Sequence, residues 1–356
     1  MRILAFTRYQ RLGSSSRVRF YQYFPYLQSK GVEIVNAPFF DDEYVRNLYK
    51  GKTLSLRVAL KAYIIRLATL RRKNSFDLIW VEKEFLPWFP AIMEVLFRTS
   101  NVPYVVDYDD AVFHRYDLHT SPIVRAFLSK KIDHVMHDAA LVIAGNEYLA
   151  ARAMKAEARR VEILPSVVDV KRYPIKQHKQ DSAFAIGWIG TPVTGFNLRI
   201  IYEALSKLNE ETMIKLILVG AGSAQQFAEI TTETIPWSED IELTVNQKFD
   251  VGIMPLIDGP FERGKCGYKL IQYMAGGLPV VASPVGVNQQ IVEHEINGYL
   301  ANSTEDWINY LRTLRDNSQK RKAMGAAGRQ KVEQLYNLQV TAPKLLELLI
   351  NVANVK

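Results

Sequence analysis

Short apolar runs recur along the chain, each followed by a polar or glycine-bearing loop and then by a stretch with helical spacing. Residues 3–6 (ILAF) read as a strand. A polar loop, TRYQRLGSSSRVR, follows, and then a helix through 20–30 that ends at Gly31. Further strands are expected at 32–38 (VEIVNAP), 76–82 (FDLIWVE), 102–110 (VPYVVDYDD), 140–146 (ALVIAGN) and 161–169 (VEILPSVVD). Helices are expected at 52–73 and 87–99. The pattern then restarts. AFAIGWIG, IKLILVGAG, FDVGIMPL and LPVVAS read as strands, GFNLRIIYEALSKL as a helix, and a helical tail runs from about Asp306. Short β-branched runs bounded by turn residues, alternating with helical stretches, imply parallel sheets covered by helices on both faces.

The fold class is therefore α/β: two doubly wound, Rossmann-like domains in series, facing each other across a cleft. The first covers 1–170 and the second 180–335. The polar, proline-bearing stretch 169–182 joins them, and the last helix, about 337–356, packs back on the first domain. In open α/β sheets ligands sit at the carboxyl ends of the strands, so the cleft is the expected site.

Composition narrows the class. The chain has 356 residues, one cysteine and no biased tract. A lone cysteine allows no internal disulfide, and the apolar start is too short for a signal peptide, so a cytoplasmic location is expected. The net charge of +8 is uneven: residues 1–173 hold 27 Lys/Arg against 18 Asp/Glu, and residues 174–356 hold 18 against 19. No nucleic-acid module accompanies the basic half. An anionic membrane surface fits better as its partner, through the basic, apolar stretch 52–73. There Arg57, Lys61 and Arg72 share a stripe, with Arg66, Arg71 and Lys73 nearby. The same stretch also reads as a helix that packs its apolar side on the sheet.

The stretch RGKCGYKLIQYMAGGLPVVASPVG (263–286) carries the most readable chemistry. Gly267 lets the backbone approach a ligand, and the start of a helix attracts an anion. Lys265 and Lys269 stand on either side, so a phosphate is the candidate ligand, against two surface lysines flanking an ordinary turn.

Three segments, in order, resemble family-4 glycosyltransferases of GT-B architecture. These are VEILPSVVDVKRYP, LILVGAGS and, most extensively, KLIQYMAGGLPVVASPVGVNQQIVEHEINGYLA. The resemblance implies a retaining, metal-independent transferase. It would move a sugar from a nucleotide-diphosphate sugar (UDP- or GDP-linked) to a glycan or lipid-linked acceptor in surface polysaccharide or glycolipid synthesis. No further cofactor is implied. Lys265, Lys269, Gly13, Gly190, Thr191 and Gly267 are then expected at the donor phosphates, and Gln272, Gly220 and Trp237 at the nucleotide. Asp109, Asp110 and Lys265 are expected at the reacting centre. Ser14, Arg17, His114, Asn146 and Glu262 are expected around sugar or acceptor, with Arg19 as a second cation for a phosphorylated acceptor. As an alternative, Ser16 simply caps a helix.

The departures from the family pattern are specific. Gly264 and Gln272 stand where the family carries two glutamates, Thr191 and Thr194 where it carries an Arg and a Lys, and Asp109 where it carries a histidine. Asp107-x-Asp109 also reads as a weak metal pair. These departures leave two alternatives open: a non-catalytic binding subunit, and a sugar-nucleotide epimerase on the same fold.

Overall fold

In the computed structural model, residues 1–49, 51, 55–91, 102–177, 183–222, 227 and 229–354 are described. The helix expected at 87–99 lies mostly outside these residues, as does the end of the joining stretch, 178–182. The chain forms two compact units. One comprises Met1–Ser166, Arg263–Cys266 and Leu338–Lys356; the other comprises Val167–Glu262 and Gly267–Asn337.

The first unit holds a parallel sheet in the order β2-β1-β3-β4-β5-β6. Its strands are β1 (Arg2–Phe6), β2 (Glu33–Asn36), β3 (Leu78–Glu82), β4 (Tyr104–Tyr108), β5 (Leu141–Ala144) and β6 (Val161–Ile163). The central strands β3 and β5 are buried along their whole length, as parallel strands covered on both faces must be. Helix Leu338–Asn354 belongs to this unit, where Thr341 shares a hydrogen bond with Tyr23 Oη at 3.2 Å. The second unit repeats the plan in the order β12-β11-β10-β7-β8-β9. Its strands are β7 (Ala185–Ile189), β8 (Lys215–Val219), β9 (Thr231–Ile235), β10 (Val251–Met254), β11 (Val280–Ala282) and β12 (Gly298–Leu300).

Two local expectations are corrected. GFNLRIIYEALSKL is not one α-helix: a 3₁₀ segment, Pro192–Ile201, precedes the α-helix Tyr202–Glu211. In helix Leu56–Leu70, Arg66 is no part of an exposed basic stripe. It is 3% exposed and donates to the carbonyls of Thr7 (2.9 Å) and Ala37 (3.3 Å), with its guanidinium over the Phe6 ring.

The strand orders fix where ligands are expected. In the first sheet the winding reverses between β1 and β3, and in the second between β7 and β10. The loops leaving the carboxyl ends of those strands flank the switch points where doubly wound sheets bind ligands.

Candidate functional site

At the switch point of the second unit, a chain of close contacts links residues from four loops. Gly190 ends β7. A Cβ there would stand 2.2 Å from the Trp188 ring, so the backbone passes where only hydrogen fits. Gly220 ends β8 with φ +74°, and a Cβ on it would lie 2.3 Å from the Gly190 carbonyl oxygen. Trp237 packs next to Gly220, and its Nε1 donates to Glu242 Oε2 at 2.8 Å. Tyr268 Oη donates to the other oxygen of Glu242 at 3.4 Å. The Lys269 ammonium sits 4.4 Å from the centre of the Trp188 ring. Thr191 N donates to Thr194 Oγ1 at 3.1 Å, which shapes the turn after Gly190.

Gly267, at φ +64°, precedes helix Tyr268–Ala275. That helix presents its first amides and positive dipole end beside Lys269. The structure thus brings together Gly190, Thr191, Gly220, Trp237 and Lys269. It adds Trp188, Glu242 and Tyr268, none of which the sequence reading proposed. Their signal was proximity of aromatics to strand-end glycines, which emerges only when the strands are paired.

Other expected residues are placed differently. Gln272 is 2% exposed. Its amide donates to Tyr173 Oη at 3.4 Å, and its backbone carbonyl accepts from Asn246 Nδ2 at 2.7 Å, so it is engaged inside the unit. Glu262 is half-buried in the turn Pro260–Arg263 beside Gly259. Lys265 lies in segment Arg263–Cys266, which packs with the first unit, and Lys269 belongs to the second.

That segment is anchored by Asn146. Its Nδ2 donates to the carbonyls of Gly264 (3.0 Å) and Lys265 (3.1 Å), while its Oδ1 accepts from Leu149 N and caps helix Glu147–Lys155. Every polar atom of the Asn146 side chain is therefore engaged. Gly264 packs so tightly on Ala111 that a Cβ would meet Ala111 N at 2.9 Å. A glutamate has no room there. Gly145 approaches Cys266 in the same way, and burial pushes the Cys266 thiol up.

At the switch point of the first unit, buried charges converge from the loops after β1, β3 and β4. Lys83 follows β3 with φ +67°. Its Nζ is 2.8 Å from Asp109 Oδ1 and 3.5 Å from Asp110 Oδ2. Ser15 Oγ donates to Asp109 Oδ2 at 2.5 Å. Burial raises Asp109, but Lys83 and the Ser15 hydroxyl outweigh it and hold the carboxyl below its ordinary value. Next to this cluster Ser16 Oγ donates to Glu82 Oε2 at 2.5 Å, a structural tie rather than a helix cap. Deeper still, Glu84 is enclosed by Arg8, Tyr116 and Lys131.

Arg19 is not a surface cation. It is 1% exposed and grips Asp107 bidentately at 2.7 and 3.2 Å, which also removes Asp107 from any metal pair. Among the described residues no group of three His, Cys, Asp or Glu could hold a metal ion. Arg17 is 5% exposed, with Nη1 donating to the Arg11 carbonyl at 3.5 Å. Gly13 is buried against Tyr9, and Ser14 is exposed. His114 uses both ring nitrogens, on Asp117 (2.8 Å) and Tyr148 Oη (2.9 Å).

Comparison with known proteins agrees with this architecture. The structure of Anabaena HepE in complex with UDP matches with a TM-score of 0.73, at 17% identity over 99% of this chain and 100% of that one. Sucrose-phosphate synthase from Thermosynechococcus elongatus matches with 0.72, at 15% identity over the full length of both. WaaG, a glycosyltransferase involved in lipopolysaccharide biosynthesis, matches with 0.68, at 14% identity over 98% and 99%. The fold is GT-B.

Within this GT-B chain, residues 183–317 match the family model described as glycosyl transferases group 1. An uncharacterized glycosyltransferase of Methanocaldococcus jannaschii is 26% identical over 129 residues, 33% of this chain and 32% of its own length. The match thus spans about a third of that curated relative. The family-model match contains the whole Gly190–Gly220–Trp237–Lys269 constellation.

Proposed function

We propose that this chain is a retaining glycosyltransferase that takes its sugar from a nucleotide-diphosphate donor. The observation that carries the reading is the constellation at the second switch point: two strand-end glycines stripped of side-chain bulk, an indole, and a lysine beside a helix start. This is what a nucleoside diphosphate needs: close backbone approach, a flat apolar partner and positive charge. Lys269 and the first amides of helix Tyr268–Ala275 would stabilise the charge that develops on the departing diphosphate, a task that fixed, preorganised donors can perform. Lys265 is a further candidate for the same charge, and Trp237 is the candidate for the nucleoside. In the first unit, Asp109 and Asp110 supply carboxylates for sugar or acceptor hydroxyls. HepE, seen with UDP and with UDP-glucose, favours a uridine donor.

A thermal-shift series with UDP, GDP and ADP in EDTA tests this. One nucleoside diphosphate should raise the melting temperature without metal, since saturation at about 100 times Kd stabilises by about 2.7 kcal/mol. No shift from any nucleotide, with or without Mg²⁺, overturns the reading. A shift without turnover on any acceptor favours the binding-subunit alternative. Loss of the donor's configuration without an acceptor favours the epimerase.

We also propose that the acceptor is met at an anionic membrane. No helix among the described residues is long and apolar enough to cross one. Helix Leu56–Leu70, however, exposes Leu56 (83%), Leu60 (59%) and Ile64 (59%), and Trp88 is also exposed. From Tyr44 to Phe76 the sequence has nine Lys/Arg and no Asp/Glu. Apolar side chains among cations suit an interfacial contact, in which each cation contributes about 1 kcal/mol on an anionic bilayer. Arg57→Glu/Lys61→Glu should therefore cut cosedimentation with phosphatidylglycerol vesicles by roughly tenfold or more. Equal binding of wild type to phosphatidylcholine vesicles would count against the electrostatic part.

A further inference from the structure

We propose that Lys83 is a positioning residue for sugar transfer: its ammonium fixes the Asp109–Asp110 pair so that Asp110 presents its carboxylate to a substrate hydroxyl. The inference rests on the transferase reading above. It starts from a backbone outlier. Lys83 adopts φ +67°, a left-handed conformation that strains a lysine and costs a glycine almost nothing. The turn is held in place by the sheet: Lys83 N donates to the Asp107 carbonyl at 3.0 Å, and Glu84 N donates to the Glu82 carbonyl at 2.8 Å. A glycine would make the same turn without strain, so the lysine is there for its side chain.

That side chain is buried and delivers a charge to one place. Side-chain exposure rises stepwise from Lys83 (5%) to Asp109 (14%) to Asp110 (30%). Lys83 and Ser15 hold Asp109 from two sides, and Lys83 also reaches on to Asp110 at the longer distance. The order reads as a buried anchor, a fixed spacer and an open terminal carboxylate. Its location agrees, because the three contributing loops leave β1, β3 and β4 at the carboxyl edge where the first sheet changes winding direction. Burial pulls the Lys83 ammonium down, but Asp109, Asp110 and Glu82 raise it beyond its ordinary value, so it stays charged. Strain retained at such a place is a pointer to function when the surrounding structure enforces it.

Lys83→Gly separates charge from backbone, because it relieves the strain and removes only the equivalent of n-butylammonium. With a sugar nucleotide that the wild type turns over, kcat should fall at least a hundredfold while KM for the donor stays within threefold. Added n-butylammonium should restore at least tenfold of the loss, which a purely structural lysine would not allow. If Lys83→Gly melts below the assay temperature, Lys83→Gln is measured for the same kcat-selective loss. Near-normal kcat in a folded Lys83→Gly, or an equal loss in KM and kcat with no amine response, overturns the assignment. A wild type that turns over no sugar nucleotide overturns the transferase reading, and this inference with it.

Discussion

Arg19→Leu should destabilise the protein by about 3–5 kcal/mol, the usual result of removing one member of a buried ion pair. Arg19 is 1% exposed and Asp107 2%. The guanidinium makes two bonds to the Asp107 carboxylate and a third, at 2.9 Å, to the Leu164 carbonyl, which ties the segment after β6 to β4. Without Arg19 the carboxylate is left buried among Asp109 and Glu82, both of which oppose its charge. Even with Arg19 in place, burial pushes the Asp107 carboxyl up to about 6.

That upward shift marks how much of the pair's attraction is consumed by desolvation, and it makes the double variant informative. Arg19→Leu/Asp107→Leu removes both charges and should recover more than half of the loss. It should not recover everything, because the Leu164 carbonyl keeps no partner from this side chain. Urea unfolding of the full chain measures both, read at the transition of the first unit, which holds Trp80 and Trp88. A single variant costing under about 1 kcal/mol would show the pair to be solvated in solution. A double variant as unstable as the single would assign the cost to lost packing.

These buried charges are also where the sequence was hardest to read. Apolar runs announced β1, β3, β7, β8 and β10, since a parallel strand covered on both faces must be apolar throughout. β9, TTETI, has one apolar residue and escaped notice, as did β12, whose three residues give no period. Glu82, which ends the expected strand 76–82, and Lys83 and Glu84 after it are charged, yet all three side chains are buried because neighbouring strands and helices supply their partners. Partners 26 to 76 residues away leave no local pattern. Lys265 and Lys269 are four residues apart, but only Lys269 lies on helix Tyr268–Ala275, which begins after Gly267 turns at φ +64°. The glycines themselves were legible as a class: Gly190 was expected at a phosphate and Gly220 at the nucleotide. What the sequence could not show is that these two touch each other.

Gly220→Ala tests that contact, and it should weaken nucleotide binding at least tenfold. Two costs combine. At φ +74° an alanine is strained by about 1 kcal/mol. Its methyl would also stand 2.3 Å from the Gly190 carbonyl oxygen, a backbone atom that no rotamer change can move. The turn through Gly190 and Thr191 must shift, and overpacking of this kind costs about 1–3 kcal/mol. The control is Gly31→Ala. Gly31 has φ +79°, but nothing lies within 4 Å of the added Cβ. It should therefore lose only the strain of about 1 kcal/mol and leave nucleotide affinity unchanged. Isothermal titration of both variants with the nucleoside diphosphate that stabilises the wild type separates the effects. Equal affinity in Gly220→Ala and wild type would place the ligand away from the β7 and β8 ends. Parallel losses in both variants would mean that affinity follows global stability and not the geometry of this turn.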